Sequence, residues 1–253
     1  MEITQDVKRG KLHSAYVVAP FDKAKEALEG DNYRVISLEE QAGLRAREGA
    51  NSSIATRGNW TREGFIYVPT KGAFLTKDSP ILANAKEATD CHRNGREFYL
   101  NDEQVEKSLA ASVLIKETQV PTTRFADEAL TSFAFGKNAK AYGEFLKENG
   151  IESITAYLAN SESKPFARQL WLHRIDSDLR SVLNGDLRGL DYDSDEVRGV
   201  REASANSKGA SVARKSEARV EAYTPKDIQR ALKSLKLAGL ESQILETLKS
   251  AKR

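Results

Sequence analysis

Residues 157–202 constrain the fold more than any other part of the chain, because two apolar runs enclose a long polar segment there. Leu170, Trp171 and Leu172 form the first run, and residues 197–201 (VRGVR) form the second. The residues between them are mostly Asp, Ser, Asn, Gly and Tyr. Two core strands separated by such a segment predict a scaffold that displays a polar binding surface.

Composition and length set the class of protein. A chain of 253 residues allows one large domain or two small ones. Hydrophobic residues make up 40% and charged residues 30%, which supports a packed core and argues against wholesale disorder. The single cysteine, Cys91, excludes an intramolecular disulfide and a cysteine-rich zinc site.

The N-terminal residues give no sign of a targeting segment. Residues 1–10 are polar and no apolar run follows, so no signal peptide is expected. No run approaches the ~18 apolar residues of a membrane span. We therefore expect a cytoplasmic or virion-associated protein.

Local patterns predict short strands that alternate with helices, as in an α+β protein. Ser37 and Glu40 form a capping box, which predicts a helix that continues to Arg45 or Arg47 and ends near Gly49. Strands are predicted at 13–20, 65–68, 73–76 and 154–158, the second and third forming a hairpin. Further helices are predicted at 21–28, from Asn101 or Asp102 to about Ala111, and at 138–148. Residues 50–64 are predicted to be a loop, and 113–123 are extended in character.

Charge is segregated towards the C-terminus. Residues 203–253 hold 11 Lys/Arg and 5 Asp/Glu, a net charge of +6, which leaves 28 and 32, a net of −4, in residues 1–202. Residues 203–222 are small and polar and predict a linker or a surface arm. Thr224 and Pro225 then begin a basic helical hairpin at 223–253, broken at Gly239. Its leucine face would suit docking on the acidic body or oligomerisation.

The segment YRVISLEE at 33–40 resembles the start of the second helix of C-type-lectin-like domains. The branch in question includes formylglycine-generating enzymes and the variable proteins of diversity-generating retroelements. Residues 13–28 lie where that fold places its first strand and first helix, and residues 157–202 resemble its C-terminal half. Val35 and Ile36 depart from the usual leucine and proline, and residues 50–150 exceed the family minimum.

The resemblance implies an α+β, C-type-lectin-like ligand-binding domain at residues 1–202 with a C-terminal helical hairpin extension. In the retroelement branch, polar residues near the final strands form a ligand-binding face that tolerates massive variation. The positions that the resemblance places on or near that face are Ser161, Ser163, Asp176, Asp178, Asn184, Asp186, Asp191, Tyr192, Asp193 and Asp195. The alternative for any single one of them is an ordinary solvated loop position. Tyr, Ser, Gly and Asn are residues that adaptable binding surfaces use.

The acidic segment at 191–195 also has the spacing of a calcium loop. Asp191, Asp193 and Asp195 alternate, and Glu202 stands at the twelfth position. Glu196 occupies the sixth position, where the tight turn needs Gly, so we favour an exposed acidic turn. The three histidines show no metal-ligand spacing, and we expect no metal and no cofactor.

No motif predicts catalysis. The chain lacks a phosphate-binding glycine loop and a nucleophile elbow. One cysteine cannot supply the reactive pair of the formylglycine-generating enzymes. Trp171 is expected in the core, with a stacking platform as the alternative. Trp60 is the better candidate for an exposed aromatic contact, unless it fills the core beneath its loop.

These observations favour a non-catalytic scaffold that binds a protein or surface ligand, such as the receptor-binding variable protein of a retroelement. A protein that associates with nucleic acid through its basic C-terminal helices is the alternative. It predicts salt-dependent retention of DNA or RNA that disappears when residues 223–253 are deleted.

Overall fold

A computed structural model describes residues 1–160, 162–175, 181–185 and 189–203. Within these residues, helices and strands are both abundant and one mixed sheet joins the strands, which confirms the α+β class. The predicted linker at 203–222 lies almost wholly outside the described residues, and the hairpin at 223–253 lies entirely outside them.

The strands of the described residues are short, and β4 is the longest. In chain order they are β1 (Thr4–Val7), β2 (Leu12–Val18), β3 (Arg34–Val35), β4 (Asn59–Val68), β5 (Gly72–Thr76), β6 (Phe98–Tyr99), β7 (Ser112–Leu114), β8 (Gln119–Pro121), β9 (Ser153–Tyr157), β10 (Phe166–Leu172), β11 (Ser181–Asn184) and β12 (Glu196–Glu202). Their order across the sheet is β1-β2-β12-β4-β10-β11-β9-β8. Neighbours are antiparallel except for β12 with β4 and β11 with β9, which are parallel.

The α-helices of the described residues pack against this sheet. In chain order they are α1 (Phe21–Gly30), α2 (Leu38–Glu48), α3 (Ser53–Thr56), α4 (Pro80–Ala83), α5 (Ala85–Arg93), α6 (Asp102–Ala110), α7 (Ala129–Phe135) and α8 (Ala139–Glu148). The predicted capping box is confirmed at α2, where Ser37 Oγ accepts a hydrogen bond from the Glu40 N–H and Glu40 accepts one from the Ser37 N–H. Asn101 caps α6 in the same way through Gln104.

The predicted hairpin is confirmed, and the loop predicted before it is wrong in part. Strands β4 and β5 pair antiparallel from Gly64 with Thr76 to Val68 with Gly72. Strand β4 already begins at Asn59, however, inside the residues predicted to be a loop. Asn59 is buried and exchanges side-chain hydrogen bonds with Gln41. A distant partner therefore makes this polar residue suitable for a central strand.

The core has two large clusters, one on each face of the sheet. Side chains alternate along β4, so that Phe65 and Tyr67 contact one cluster while Ile66 and Val68 contact the other. Helices α2, α7 and α8 cover the first cluster, and α1 and α5 cover the second. Tyr67 stacks on Phe166 of β10, with ring centroids 4.4 Å apart, which ties together the two central strands.

Candidate ligand-binding cleft

The ends of four neighbouring strands meet on one side of the sheet, where the strands begin or end, and enclose a cleft of about 330 Å³. Strand β2 ends there at Val18, and residues 56–58 lead from α3 into β4. Trp171 and residues 173–174 close β10, and residues 194–196 lead into β12. The pairing directions bring these ends together, since β2 and β10 end at the same level of the sheet at which β4 and β12 begin.

Trp171 lines the cleft, and two further aromatic rings continue from it into the core. The ring of Trp171 packs edge to face on Trp60, with centroids 5.2 Å apart, and Phe21 packs on Trp60 from α1 at 6.2 Å. Trp171 is buried, as expected for a core residue. Trp60 is only 1% exposed, so the prediction of an exposed contact is wrong and the alternative, a residue that fills the core, is confirmed.

Behind the cleft lies a buried ion cluster. The guanidinium of Arg198 is fully buried and donates hydrogen bonds to the carboxylates of Asp6 and Glu196. The ring of Tyr16 lies beside it, 5.3 Å from the guanidinium carbon. Burial raises the pKa of Glu196 although Arg198 and Arg57 act in the opposite direction. The fold thus depends on Arg198 as the buried counter-charge that two carboxylates share after they have left the solvent.

Arg57 lies at the rim of the cleft. Its side chain is 49% exposed, and one guanidinium nitrogen is 3.4 Å from Glu196 Oε2. The guanidinium carbon also lies 4.9 Å from the centroid of the Tyr16 ring, a cation–π arrangement. Tyr16 therefore lies against two arginines, the buried Arg198 and the accessible Arg57.

Among the described residues that line the cleft, the charged side chains that solvent reaches are arginines. Arg57 and Arg174 reach the surface, and His173 is half-buried. The acidic residues that line the cleft are buried, Asp195 at 2% exposed and Glu196 at 4%. Guanidinium and imidazole groups donate hydrogen bonds, so the accessible lining suits a ligand that accepts them.

The predicted site residues divide among several places. Asp195 lines the cleft and is buried, because it ends a tight turn and its carbonyl accepts a hydrogen bond from the Ala19 N–H. Tyr192 and Asp193 are exposed on the same turn, and Asp191 is half-buried. The pKa of His92 is lowered by burial and by Arg168, while Glu97 and Asp191 act in the opposite direction, so this turn lies near α5.

The other predicted residues are more scattered. Asn184 ends β11 opposite Trp171, which forms the floor of the cleft, while Ser163 is exposed on the segment before β10. The remaining four, Ser161, Asp176, Asp178 and Asp186, lie outside the described residues.

Several cleft residues carry no signal that the sequence alone could show. Arg57 and Gly58 belong to the predicted loop, and His173 and Arg174 follow a predicted core strand. Only the pairing of β4, β10 and β12 brings them together, because they are more than a hundred residues apart in the chain.

The calcium-loop geometry is not formed. Glu202 ends β12, a strand of seven residues that begins directly after Asp195. A strand rises about 3.3 Å per residue, so Glu202 lies roughly 20 Å from the acidic turn and cannot share an ion with Asp195. Among the residues that the structure describes, no group of three or more His, Cys, Asp or Glu side chains could hold a metal ion. The expected exposed acidic turn is exposed at Tyr192 to Ser194 and buried at Asp195.

Comparison with solved structures identifies the fold as that of C-type lectins. One similar structure is that of a protein from Nanoarchaeota, in which the C-type lectin fold accommodates massive sequence variation. It aligns with 78% of this chain and 100% of its own, with a TM-score of 0.56 and 13% sequence identity. The fold predicted from the motif order is therefore confirmed. No protein-family model matches the chain, and no curated protein matches it in sequence.

Across the described ranges, none of the helices combines the length and the apolar character that crossing a bilayer requires.

Proposed function

We propose that this protein is a non-catalytic scaffold that binds a protein or surface ligand through a variable polar surface. In its specific form, it is the receptor-binding variable protein of a diversity-generating retroelement. The observation that carries the proposal is the C-type lectin fold, shared with a protein in which that fold accommodates massive sequence variation. The cleft adds a concave surface formed by the ends of core strands.

In the turn before β12, the residues that stabilise the fold are different from the residues that are exposed to solvent. Leu190 and Val197 are buried in the core on either side of the turn, while Tyr192, Asp193 and Ser194 between them are exposed. Substitutions at exposed positions away from special contacts usually change stability by no more than about 0.5 kcal/mol. The turn can therefore change its chemistry while its flanks hold it in place.

The proposed face joins this turn to the cleft. It comprises Asp191, Tyr192 and Asp193 on the turn, Asp195 in the cleft and Asn184 beside the floor. Ser163 and the four predicted residues outside the described ranges complete the proposed set. An exposed tyrosine offers a large contact area with few rotatable bonds, which makes Tyr192 the strongest single candidate.

Selection from a random peptide library tests the binding function. Peptides would be selected on the immobilised full-length protein and their affinities then measured on variants. Replacing Asp191, Tyr192 and Asp193 together by Ala should abolish binding and leave the thermal melt unchanged. The control carries Lys140→Ala and Lys147→Ala on α8. If the selected peptides bind the triple variant as well as the wild type, the proposed face is wrong.

Sequencing the gene across a natural population tests the retroelement form of the proposal. Codons for the exposed turn and the cleft rim should vary far more than codons for buried positions such as Leu190 and Val197. Uniform variation along the gene would remove the retroelement role and leave the binding function to be judged by the peptides.

The nucleic-acid alternative rests on the net charge of +6 in residues 203–253. Deleting residues 223–253 would then abolish retention on DNA or RNA, and retention by the full chain would fall steeply with salt. Retention that survives the deletion would exclude this alternative.

A further inference from the structure

We infer that the cleft receives an acidic side chain of a protein partner, and that Arg57 is the residue that binds its carboxylate. This inference rests on the proposed function, and it names the chemistry of the partner. It rests on the exposure of the charged side chains in the cleft, where the basic group is more accessible than the acidic groups. The guanidinium of Arg57 is accessible, whereas Asp195 and Glu196 are almost fully buried.

Arg57 can change its partner while the buried Glu196 keeps its other ion pair. Its contact with Glu196 is long, at 3.4 Å, and half of its side chain is in solvent. Glu196 keeps its hydrogen bond from Arg198 when Arg57 turns away, because the two arginines contact different carboxylate oxygens. A carboxylate from a partner would therefore replace one long ion pair by a shorter one with two hydrogen bonds.

The ring of Tyr16 fixes the orientation in which Arg57 meets a ligand. The guanidinium lies 4.9 Å from the ring centroid, which leaves its outer edge available. A planar guanidinium binds a carboxylate through two parallel hydrogen bonds, a geometry that lysine cannot provide. Val18, exposed at the end of β2, gives the same cleft an apolar contact for a neighbouring aliphatic side chain.

The size and charge of the body favour a peptide segment over a nucleic acid. The cleft of about 330 Å³ is at the small end of the range for ligand sites, roughly 300–1,000 Å³. It suits one or two side chains. Residues 1–202 carry a net charge of −4, which repels a long polyanion but acts weakly on one local carboxylate.

Fluorescence anisotropy with designed peptides tests the inference on the full-length protein. The probe is a labelled ten-residue peptide of alternating Glu and Leu, compared with a peptide in which Gln replaces every Glu. We expect the Glu peptide to bind at least tenfold more tightly than the Gln peptide, because a hydrogen bond to a charged group is lost. Arg57→Gln should remove that difference, and Arg57→Lys should restore only part of it.

Arg93→Gln is the matched control, since Arg93 is 53% exposed, pairs with Asp90 on α5 and does not line the cleft. It should leave both affinities unchanged. Thermal melts of the Arg57 variants should differ little from the wild type, because Glu196 keeps its hydrogen bond from Arg198 and the half-exposed Arg57 contributes at most about 1 kcal/mol. Equal affinity for the two peptides, absence of binding to the Glu peptide up to millimolar concentration, or equal losses in Arg57→Gln and Arg93→Gln would overturn the inference.

A single-stranded oligonucleotide serves as the second probe. If Arg57→Gln weakens oligonucleotide binding more than peptide binding, the cleft accepts phosphate and the inference is wrong. The library selection separates this failure from failure of the proposed function. Selected peptides that depend on the face but lack acidic residues would overturn only the carboxylate assignment, whereas peptides that do not depend on the face would overturn the proposed function itself.

Discussion

The indole rings of Trp60 and Trp171 meet edge to face, with an interplanar angle of 79° and a centroid separation of 5.2 Å. These residues also oppose each other in the pairing of β4 with β10. Trp171 lines the cleft and Trp60 lies in the core, so their contact joins the cleft to the core. A change in the packing of Trp171 should alter the stability of the fold and the shape of the cleft together.

Gly58→Ala should displace that pair. A methyl group at Gly58 would lie 2.7 Å from two atoms of the Trp171 indole, closer than packed side chains allow. We expect a loss of about 1–3 kcal/mol in the free energy of unfolding, as for overpacked cores. The chain contains two tryptophans, so a shift in tryptophan fluorescence should accompany the loss.

The control for this variant is Gly30→Ala. No atom lies within 4 Å of the position that its methyl group would take. Its stability should equal or slightly exceed that of the wild type, because alanine favours a helix. If Gly58→Ala unfolds at the wild-type denaturant concentration with unchanged emission, the contact between Gly58 and Trp171 is not a constraint.

Arg198→Met should destabilise the fold far more than loss of a surface arginine. It leaves the carboxylate of Asp6 without its ion pair and Glu196 with only the longer contact to Arg57, and breaking a buried ion pair typically costs about 3–5 kcal/mol. Arg62→Met is the comparison, because Arg62 pairs with Asp78 in solvent and such pairs contribute about 0–1 kcal/mol. Urea denaturation measures both.

Acid should rescue part of the loss in Arg198→Met. Burial already raises the pKa of Glu196, and removing Arg198 would raise it further. Protonation then removes the uncompensated charge, so the difference from the wild type should shrink as the pH falls from 7 to 5. A difference that stays constant over this range would show that lost packing, not charge, explains the variant.

Ser37→Ala should remove one side of the capping box of α2. Ser37 Oγ accepts a hydrogen bond of 3.2 Å from the Glu40 N–H, and replacing such a cap by alanine costs about 1 kcal/mol. Ser37→Thr should retain most of that energy. Thermal denaturation of both variants checks the prediction, and equal melting temperatures would contradict it.

The elements predicted correctly are those that local sequence determines. The Ser37–Glu40 box and the Asn101 cap each place a polar side chain three residues from the N–H group that it satisfies. Such signals lie within one turn of the chain and need no tertiary contact. Helix α5 was not predicted because its interior face is formed by small residues, Ala88 and Thr89, which are a weak hydrophobic signal.

The start of β4 could not be predicted from local signals. Asn59, Thr61 and Glu63 give it the composition of a loop, yet all three are buried. Their partners come from other segments: Gln41 contacts Asn59, and the side chain of Gln169 donates hydrogen bonds to the carbonyls of Thr61 and Glu63. Polar residues in a core depend on such distant partners, which composition does not reveal.

The candidate site was predicted only in part, for a similar reason. The turn at 191–195 was predicted to display its side chains, and Tyr192 and Asp193 do so. Asp195 is buried because β12 begins directly after it and its backbone bonds to Ala19. Arg57 precedes β4, and it lies in the cleft because β4 is placed between β12 and β10 in the sheet.

Glu63→Gln should remove a pH dependence of stability that the wild type shows. Glu63 is fully buried, and Oε2 accepts a hydrogen bond of 2.9 Å from the Leu38 N–H at the start of α2. In the described part of the chain, no group bonds to its other oxygen, Oε1. Burial raises the pKa of Glu63 to about 8, against bonds and charges that act in the opposite direction.

At pH values between the ordinary pKa of glutamate and about 8, the carboxyl of Glu63 is therefore protonated in the native state and ionised in the unfolded chain. The free energy of unfolding should fall as the pH rises through this window, by up to about 1.4 kcal/mol per pH unit from this group alone, and stay low above it.

Glutamine at position 63 keeps an acceptor for the Leu38 N–H and cannot ionise. Urea denaturation at pH 5, 6.5, 8 and 9 should give a flatter profile for Glu63→Gln than for the wild type. Glu26→Gln, at an exposed position, should follow the wild-type profile. Parallel profiles for the wild type and Glu63→Gln would show that Glu63 is ionised in the native state throughout this range.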